Sequence, residues 1–422
     1  MNTQLSHPSR FDKLTIFSLG LCISLFPLFF LTIRGWVNVC LFIASLLSII
    51  YIGTNHRNFY KNKTKTYWVL LFALCSPFLT ELIAQIFRAH IHTSSLDGPL
   101  RFLLAGFVYI ALYEIPHQKI KLNFEWVIPT SLIICLATYF LNPSASHFWG
   151  GRAASYFADP ITFASYITAL SFVCLIFLKQ RQHYLINPLI ITAFVSGIYL
   201  IVLSQSRSAW TSCIIAGLLI PLIQIKTSKK AITALLLLIV LSCFSAYYFD
   251  DIVKNRTDTA LLEIIQYFNG NRDTSTGIRI SLARLDFYLF YSHWLTGIQD
   301  GVSPPLQELK QSQGYITEAL YSMKLLAGSH NEMLAQISRK GIWGVVSIFG
   351  LFIIPIIFFI KHIRSSNEKN CVAAKIGLIF CTSILVSSLT IQVFNLKFTS
   401  SFYALMLAVL FASVLKESVT HE

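Results

Sequence analysis

The chain predicts an all-α polytopic membrane protein of about twelve transmembrane helices, with one large helical loop between the ninth and tenth. Three observations lead there. Hydrophobic residues make up 55% of the chain and mean hydropathy is +0.63, too apolar for a soluble globule. Apolar runs recur at the length needed to cross a hydrocarbon core, about 20 residues. Lys and Arg concentrate in alternate loops.

The runs fall at 14–33, 36–53, 67–87, 101–115, 125–141, 160–178, 184–203, 209–225, 231–249, 342–360, 371–390 and 400–415. The fourth and fifth are short and carry Glu114 and Glu125 at their ends. The first is full length and lacks a small-residue cleavage site, so it is expected to be a span rather than a cleavable signal. Three parts follow: helices 1–9 over 1–249, a loop domain over 250–341, and helices 10–12 with a tail over 342–422.

Orientation comes from the loops. Arg57, Lys61, Lys63 and Lys65, then Lys119 and Lys121, Lys179 and Arg181, Lys226, Lys229 and Lys230, and Lys361, Arg364 and Lys369 mark one face. The intervening loops hold isolated cations: Arg34, Arg88, Arg152, Arg207 and Lys397. The positive-inside rule puts both termini in the cytoplasm and the long loop on the opposite, exofacial side. The net charge of +14 therefore sets topology and meets anionic lipid; the long loop itself balances ten acids against nine Lys or Arg, so nucleic acid is not expected as a partner.

All nine cysteines lie inside predicted spans, without CxxC pairs or metal-ligand spacing, and act as small apolar residues. Trp36, Trp68, Trp126, Trp210 and Trp343 sit at span ends as interfacial anchors. No phosphate loop, dinucleotide fingerprint or HExxH occurs, so an ATP-driven pump is not expected. Glu81 is the main acid inside a span, where a transporter would need several such groups near the midplane.

Exofacial clusters collect the cations instead. A Gly-Pro turn leads from Asp97 into a span at Arg101. Arg152 precedes Asp159-Pro160, and Arg207 lies in the polar break Ser204-Gln205-Ser206-Arg207-Ser208. Arg101 and Arg152 either contact a ligand or have a structural role, snorkelling to lipid phosphate or pairing with Asp97 or Asp159; Arg207 has no acid in its own turn, which favours an anionic ligand. Within the long loop, apolar residues at Leu282, Leu285 and Leu289 predict an amphipathic helix with Arg279 in its first turn and Arg284 further along. Arg279 is then a ligand contact or a partner of Asp286. Two or three helices are expected in the loop.

Ser329 and Glu332 fit a capping box, which places His330 in the first turn of a helix running toward Arg339 and Lys340. The positive end of the helix dipole keeps its imidazole neutral, as a general base requires. Asp286, Glu332 and other loop carboxylates are alternative bases.

The motif His330-Asn331, nine residues, then Gly341-Ile342-Trp343-Gly344 resembles that of the bacterial O-antigen ligases, which share a superfamily with the O-antigen polymerases. The layout of spans, the single large loop, the Ser-Arg-Ser segment at Arg207 and the Gly-x-Arg at Arg279 extend the resemblance over most of the chain. It implies a metal-independent glycosyltransferase of the inner membrane with a periplasmic active site. Such an enzyme moves a glycan from undecaprenyl pyrophosphate to lipid A–core, without a cofactor or nucleotide. His330 is then the base, Arg207 and Arg279 hold the pyrophosphate, and Arg101, Arg152, Asn331 and Arg284 are further substrate contacts. A polymerase with another acceptor is the nearest competing expectation; a lipid-linked glycan flippase, with cations lining a central cavity, is a more distant one.

Overall fold

The computed structural model describes residues 10–55, 63–116, 122–178, 186–224, 251–298, 303–311 and 317–415, with isolated positions between. Among these residues the secondary structure is helical, apart from one isolated bridge between Ser155 and Ala158. Nine helices among the described residues are long and apolar enough to cross a membrane. The predicted ninth span, 231–249, lies almost wholly outside the described residues, so twelve is not the number the structure describes.

The first predicted span is a 16-residue helix, α1 (Arg10–Leu25), followed by turns through residues 26–35. Next come α2 (Trp36–Asn55), α3 (Lys65–Phe87) and α4 (Thr93–Glu114). α4 begins eight residues before the expected span, and Gly98-Pro99 is helical rather than a turn. The reason is electrostatic. Helix places Asp97 and Arg101 four residues apart as an ion pair, and Asp97 also takes Lys397.

α5 (Phe124–Leu141) and the short α6 (Ser144–Phe148) lead to α7 (Pro160–Cys174), which ends in a 3-10 turn through Phe177. Asp159 caps α7 by accepting from the amides of Ile161 and Thr162 at 2.9 and 3.1 Å, and Pro160 supplies a preset first turn. α8 (Ile186–Ser204) and α9 (Arg207–Gln224) meet at a break where Gln205 has φ +52°.

Among the described residues the long-loop region holds five helices rather than two or three: α10 (Asp251–Phe268), α11 (Ser275–Ser292), α12 (Pro304–Gln311), α13 (Glu318–Ala327) and α14 (Glu332–Lys340). Short helices joined by tight caps give weak periodicity, which is why pattern alone undercounts them. Then α15 (Ile342–His362, with a π segment at Phe349–Ile353), α16 (Glu368–Ser388) and α17 (Lys397–Leu415) complete the described chain.

The bundle is built around α7 and α17. Each is 89% buried, against 33% for α2, so these two form the centre while α2 faces outward. α17 packs on α4, α2 and α16; α7 packs on α8, α9 and α16. Rings of Phe30, Phe402, Tyr166, Phe380 and Tyr403 fill the centre. Gly197 against Ser171 and Gly350 against Ser76 leave no room for a β-carbon, the close helix approach expected where lipid supplies no hydrophobic contrast between helices.

The loop region is bolted onto one end of this bundle. Arg88, at the end of α3, donates to the carbonyls of Thr296 and Arg339 at 2.8 and 2.7 Å. Lys340, 3% exposed, reaches the Pro77 carbonyl and lies 3.7 Å from Glu81. Glu81 is thus the counter-ion of this clamp. The two glycines of the sequence motif serve the same joint. Gly341 has φ +60°, and a β-carbon there would lie 2.3 Å from the Trp294 carbonyl oxygen. At Gly344 it would lie 2.1 Å from the Gln336 carbonyl oxygen, so α15 can pack on α14 only with hydrogen there.

Candidate active site

Antiparallel threading brings to one end of the bundle the start of α7, the end of α8, the start of α9, the start of α15 and the end of α16. The loop helices cover this end. Their charged side chains converge on the break between α8 and α9.

Arg152 donates its Nε–H to the Ser204 carbonyl at 2.8 Å, and the adjacent Ala153 amide binds the Leu203 carbonyl at 3.0 Å. Arg256 of α10 donates to Gln205 Oε1 at 2.8 Å. Arg207 opens α9 and faces Glu263 of α10, Nη2 to Oε2 3.7 Å. That carboxylate also accepts from the Thr276 amide at 3.1 Å and from its hydroxyl, tying α10 to the first turn of α11. Arg279 follows one turn later on α11, beside Arg207 and Glu263. No carboxylate lies within ion-pair distance of it among the described residues.

Four guanidinium groups therefore share a region with Glu263 and Asp159. Burial holds the Arg152 pKa below its ordinary value; Arg256, Arg279 and Arg207 press the same way, and Asp159 opposes them. Arg279 is lowered by burial and then by Arg207, with Glu263 opposing. A cation surplus held at this cost is relieved by an anion with several oxygens, and guanidinium forks match phosphate geometry.

His330 sits at the edge of this cluster. It is not in the first turn of a helix: Asn331 is the cap of α14, its Oδ1 accepting from the Leu334 amide at 3.1 Å, and His330 precedes it with φ +49°. Asn331 outcompetes the Ser329 capping box because Ser329 is taken by Lys324, whose ammonium donates to Ser329 Oγ at 2.6 Å and pairs with Asp286. On the other side, Asn331 Nδ2 donates to the Leu389 carbonyl at 2.9 Å. His330 is thus held in a left-handed turn between two anchored neighbours, a conformation that a non-glycine residue adopts at some cost. Its pKa is lowered by burial first and by Arg279 second, with Asp159 opposing. The imidazole stays neutral for these reasons rather than through a helix dipole.

The competing carboxylates are engaged elsewhere, although Asp286 Oδ2 has no hydrogen-bond partner among the described residues. Asp286 is fully buried on Lys324, so it pairs there and not with Arg279. Glu332, 2% exposed, accepts from Gln336 at 2.6 Å and from the Phe394 amide at 3.1 Å. Arg101 is engaged by Asp97 at the start of α4, as one of its two sequence readings had it. Arg284 lies over the Tyr267 ring at 5.5 Å, away from the arginine cluster. Arg256 and Glu263 went unnoticed in the sequence. The signal was present: they fall seven residues apart on one face of α10, while Leu261, Leu262, Ile265 and Phe268 point outward.

Fold and site together define a multi-pass helical membrane protein with a cationic, histidine-bearing site at one end of its bundle. Residues 192–349 match the family model described as O-antigen ligase. The resemblance carried by the His-Asn motif holds over this segment, which contains Arg207, Arg256, Arg279 and His330. An uncharacterized protein of Haemophilus influenzae (strain ATCC 51907 / DSM 11121 / KW20 / Rd) is 23% identical over 392 residues, covering 88% of this chain and 92% of that protein.

Proposed function

We propose that the protein transfers an O-antigen glycan from undecaprenyl pyrophosphate to a hydroxyl of lipid A–core, at the periplasmic face of the inner membrane. The observation that carries this reading is the pairing of a neutral, partly buried His330 with a group of arginines whose charge exceeds that of their acids. His330 takes the proton of the acceptor hydroxyl as its oxygen attacks the anomeric carbon. The bond from that carbon to the phosphate oxygen breaks, and its electron pair leaves with undecaprenyl pyrophosphate.

Arg207 and Arg279 bind the leaving pyrophosphate, with Arg152 and Arg256 adding to the field. Contacts that strengthen as charge develops on the leaving oxygens lower the barrier. A single displacement inverts the anomeric centre. Asn331 positions the base through its cap and its bond to Leu389. With no carboxylate within ion-pair distance among the described residues, Arg279 is the guanidinium whose N–H donors are most available to a phosphate.

The test is a lipopolysaccharide gel from a ligase-deficient host complemented with wild type or His330→Ala at matched membrane expression. A ladder restored by wild type and lost with His330→Ala is expected. A ladder that survives the substitution overturns the base assignment. No ladder in a host of matching core, with chain growth restored in a polymerase-null strain, overturns ligation in favour of polymerisation.

A further inference from the structure

A polar cavity lies on the side of α11 away from the arginine cluster. Ile278, Ser281, Leu285 and Tyr288, spaced as one helical face, line it together with Tyr267, Arg272, Asp273, Arg284, Thr317 and Leu320. Its volume is about 360 Å³. Arg279 and Asp286 occupy the opposite face of the same helix, so the cavity is separated from the arginine cluster by about one helix diameter, 10–12 Å.

The floor of this cavity is the Tyr267 ring, 5% exposed, with the guanidinium carbons of Arg284 and Arg272 at 5.5 and 5.9 Å from its centre. Among the described residues the buried Tyr267 hydroxyl has no hydrogen-bond partner. A phenol hydroxyl sequestered from bulk water normally has one. Asp273 stands at the rim and accepts from the Thr317 hydroxyl at 3.2 Å. The exposed arginines carry two positive charges against one from Asp273.

We infer that this cavity is a glycan subsite that binds a sugar unit bearing a phosphate or carboxylate group. Arg272 and Arg284 take the anionic substituent. Asp273 accepts from sugar hydroxyls, which a bare phosphate would not offer, and the Tyr267 hydroxyl gains the partner it lacks. The Tyr288 ring, 42% exposed, offers a face for the apolar side of the sugar. Placed one helix away from His330, the subsite would grip a sugar removed from the reacting one and set the register of a long substrate. This rests on the glycosyl-transfer reading for its purpose but not for its measurement.

Binding without turnover tests it. The full chain in lipid nanodiscs is titrated with core oligosaccharide released from rough lipopolysaccharide, native and phosphatase-treated, and separately with a uronate-containing and a neutral polysaccharide. At least one charged probe should bind about tenfold more tightly than its neutral counterpart, as a difference of one strong contact would give. Arg272→Gln/Arg284→Gln should abolish that difference. Tyr267→Phe should weaken the charged probe while leaving the melting temperature unchanged. Discrimination confined to the core oligosaccharide assigns the subsite to the acceptor, and discrimination confined to the polysaccharide assigns it to the transferred chain. Equal binding of charged and neutral probes, or discrimination that survives the double substitution, overturns the proposal. A protein that discriminates in this way yet restores no ladder would sink the ligation reading and leave the subsite standing.

Discussion

Lys324 and Ser329 are bonded, Nζ to Oγ at 2.6 Å, and the same ammonium is paired with the fully buried Asp286. This places a hydroxyl bonded to a salt-bridged ammonium one residue before the left-handed turn of His330. The turn is therefore set by α11 and α13 together, not by α14 alone.

Removing one member of that pair leaves the other as a buried, uncompensated charge. Lys324→Met is expected to lower stability by about 3–5 kcal/mol, the range for breaking a buried ion pair. Lys324→Met/Asp286→Leu should recover most of that loss, read as the melting temperature in detergent, since the paired desolvation cost disappears with the pair. A double variant no more stable than the single one would show that Asp286 has a further role.

The pH dependence follows from His330. Its native pKa lies below the ordinary 6.5, so the neutral base persists below that value and transfer fails only as pH drops through the lowered pKa. Arg279→Gln removes a cation that lowers this pKa, so the acid limb of residual transfer should move upward. Stability has a matching sign: the unfolded chain takes up the proton first, so this group costs stability as pH falls below about 6.5. An acid limb that does not move in Arg279→Gln would argue against His330 as the titrating base.

Arg207→Lys should reduce transfer strongly although the charge is kept, because an ammonium cannot make the two-pronged contact to phosphate oxygens. The expected loss is about 10²-fold, similar to removing one preorganised transition-state donor. Near-normal rates in a membrane transfer assay would show that Arg207 serves only as the partner of Glu263.

Arg256→Gln tests the guanidinium that pattern did not single out. Its bond to Gln205 steadies the α8–α9 break, and its charge adds to the field at Arg152. A loss of about tenfold in transfer is expected, with normal membrane levels. Unchanged activity would confine Arg256 to a structural bond on the surface of the site.

Much of the candidate site was legible in one dimension because its parts sit where local rules are broken. Arg207 interrupts an apolar run, and His330-Asn331 precedes two glycines. Both glycines proved to be steric necessities, one at a left-handed turn and one under the Gln336 carbonyl. The capping box at Ser329 failed for a reason that local sequence does not contain: Lys324, held by Asp286 of another helix, had already engaged its hydroxyl. Arg101 likewise could be placed on either side of its two readings only when α4 was seen to start early enough to bring Asp97 beneath it.

The sequence by itself determined that the chain is a helical membrane protein and where most spans run, because burial in lipid demands long apolar helices regardless of their neighbours. It also marked His330, Arg207 and Arg279 as chemically out of place. Tertiary structure alone decided which charges meet. Glu263 faces Arg207, Arg256 joins the cluster, Asp286 and Glu332 are consumed internally, and Arg284 turns toward Tyr267 instead. Charge pairing acts over a few ångströms between helices far apart in the chain, so no local pattern encodes it.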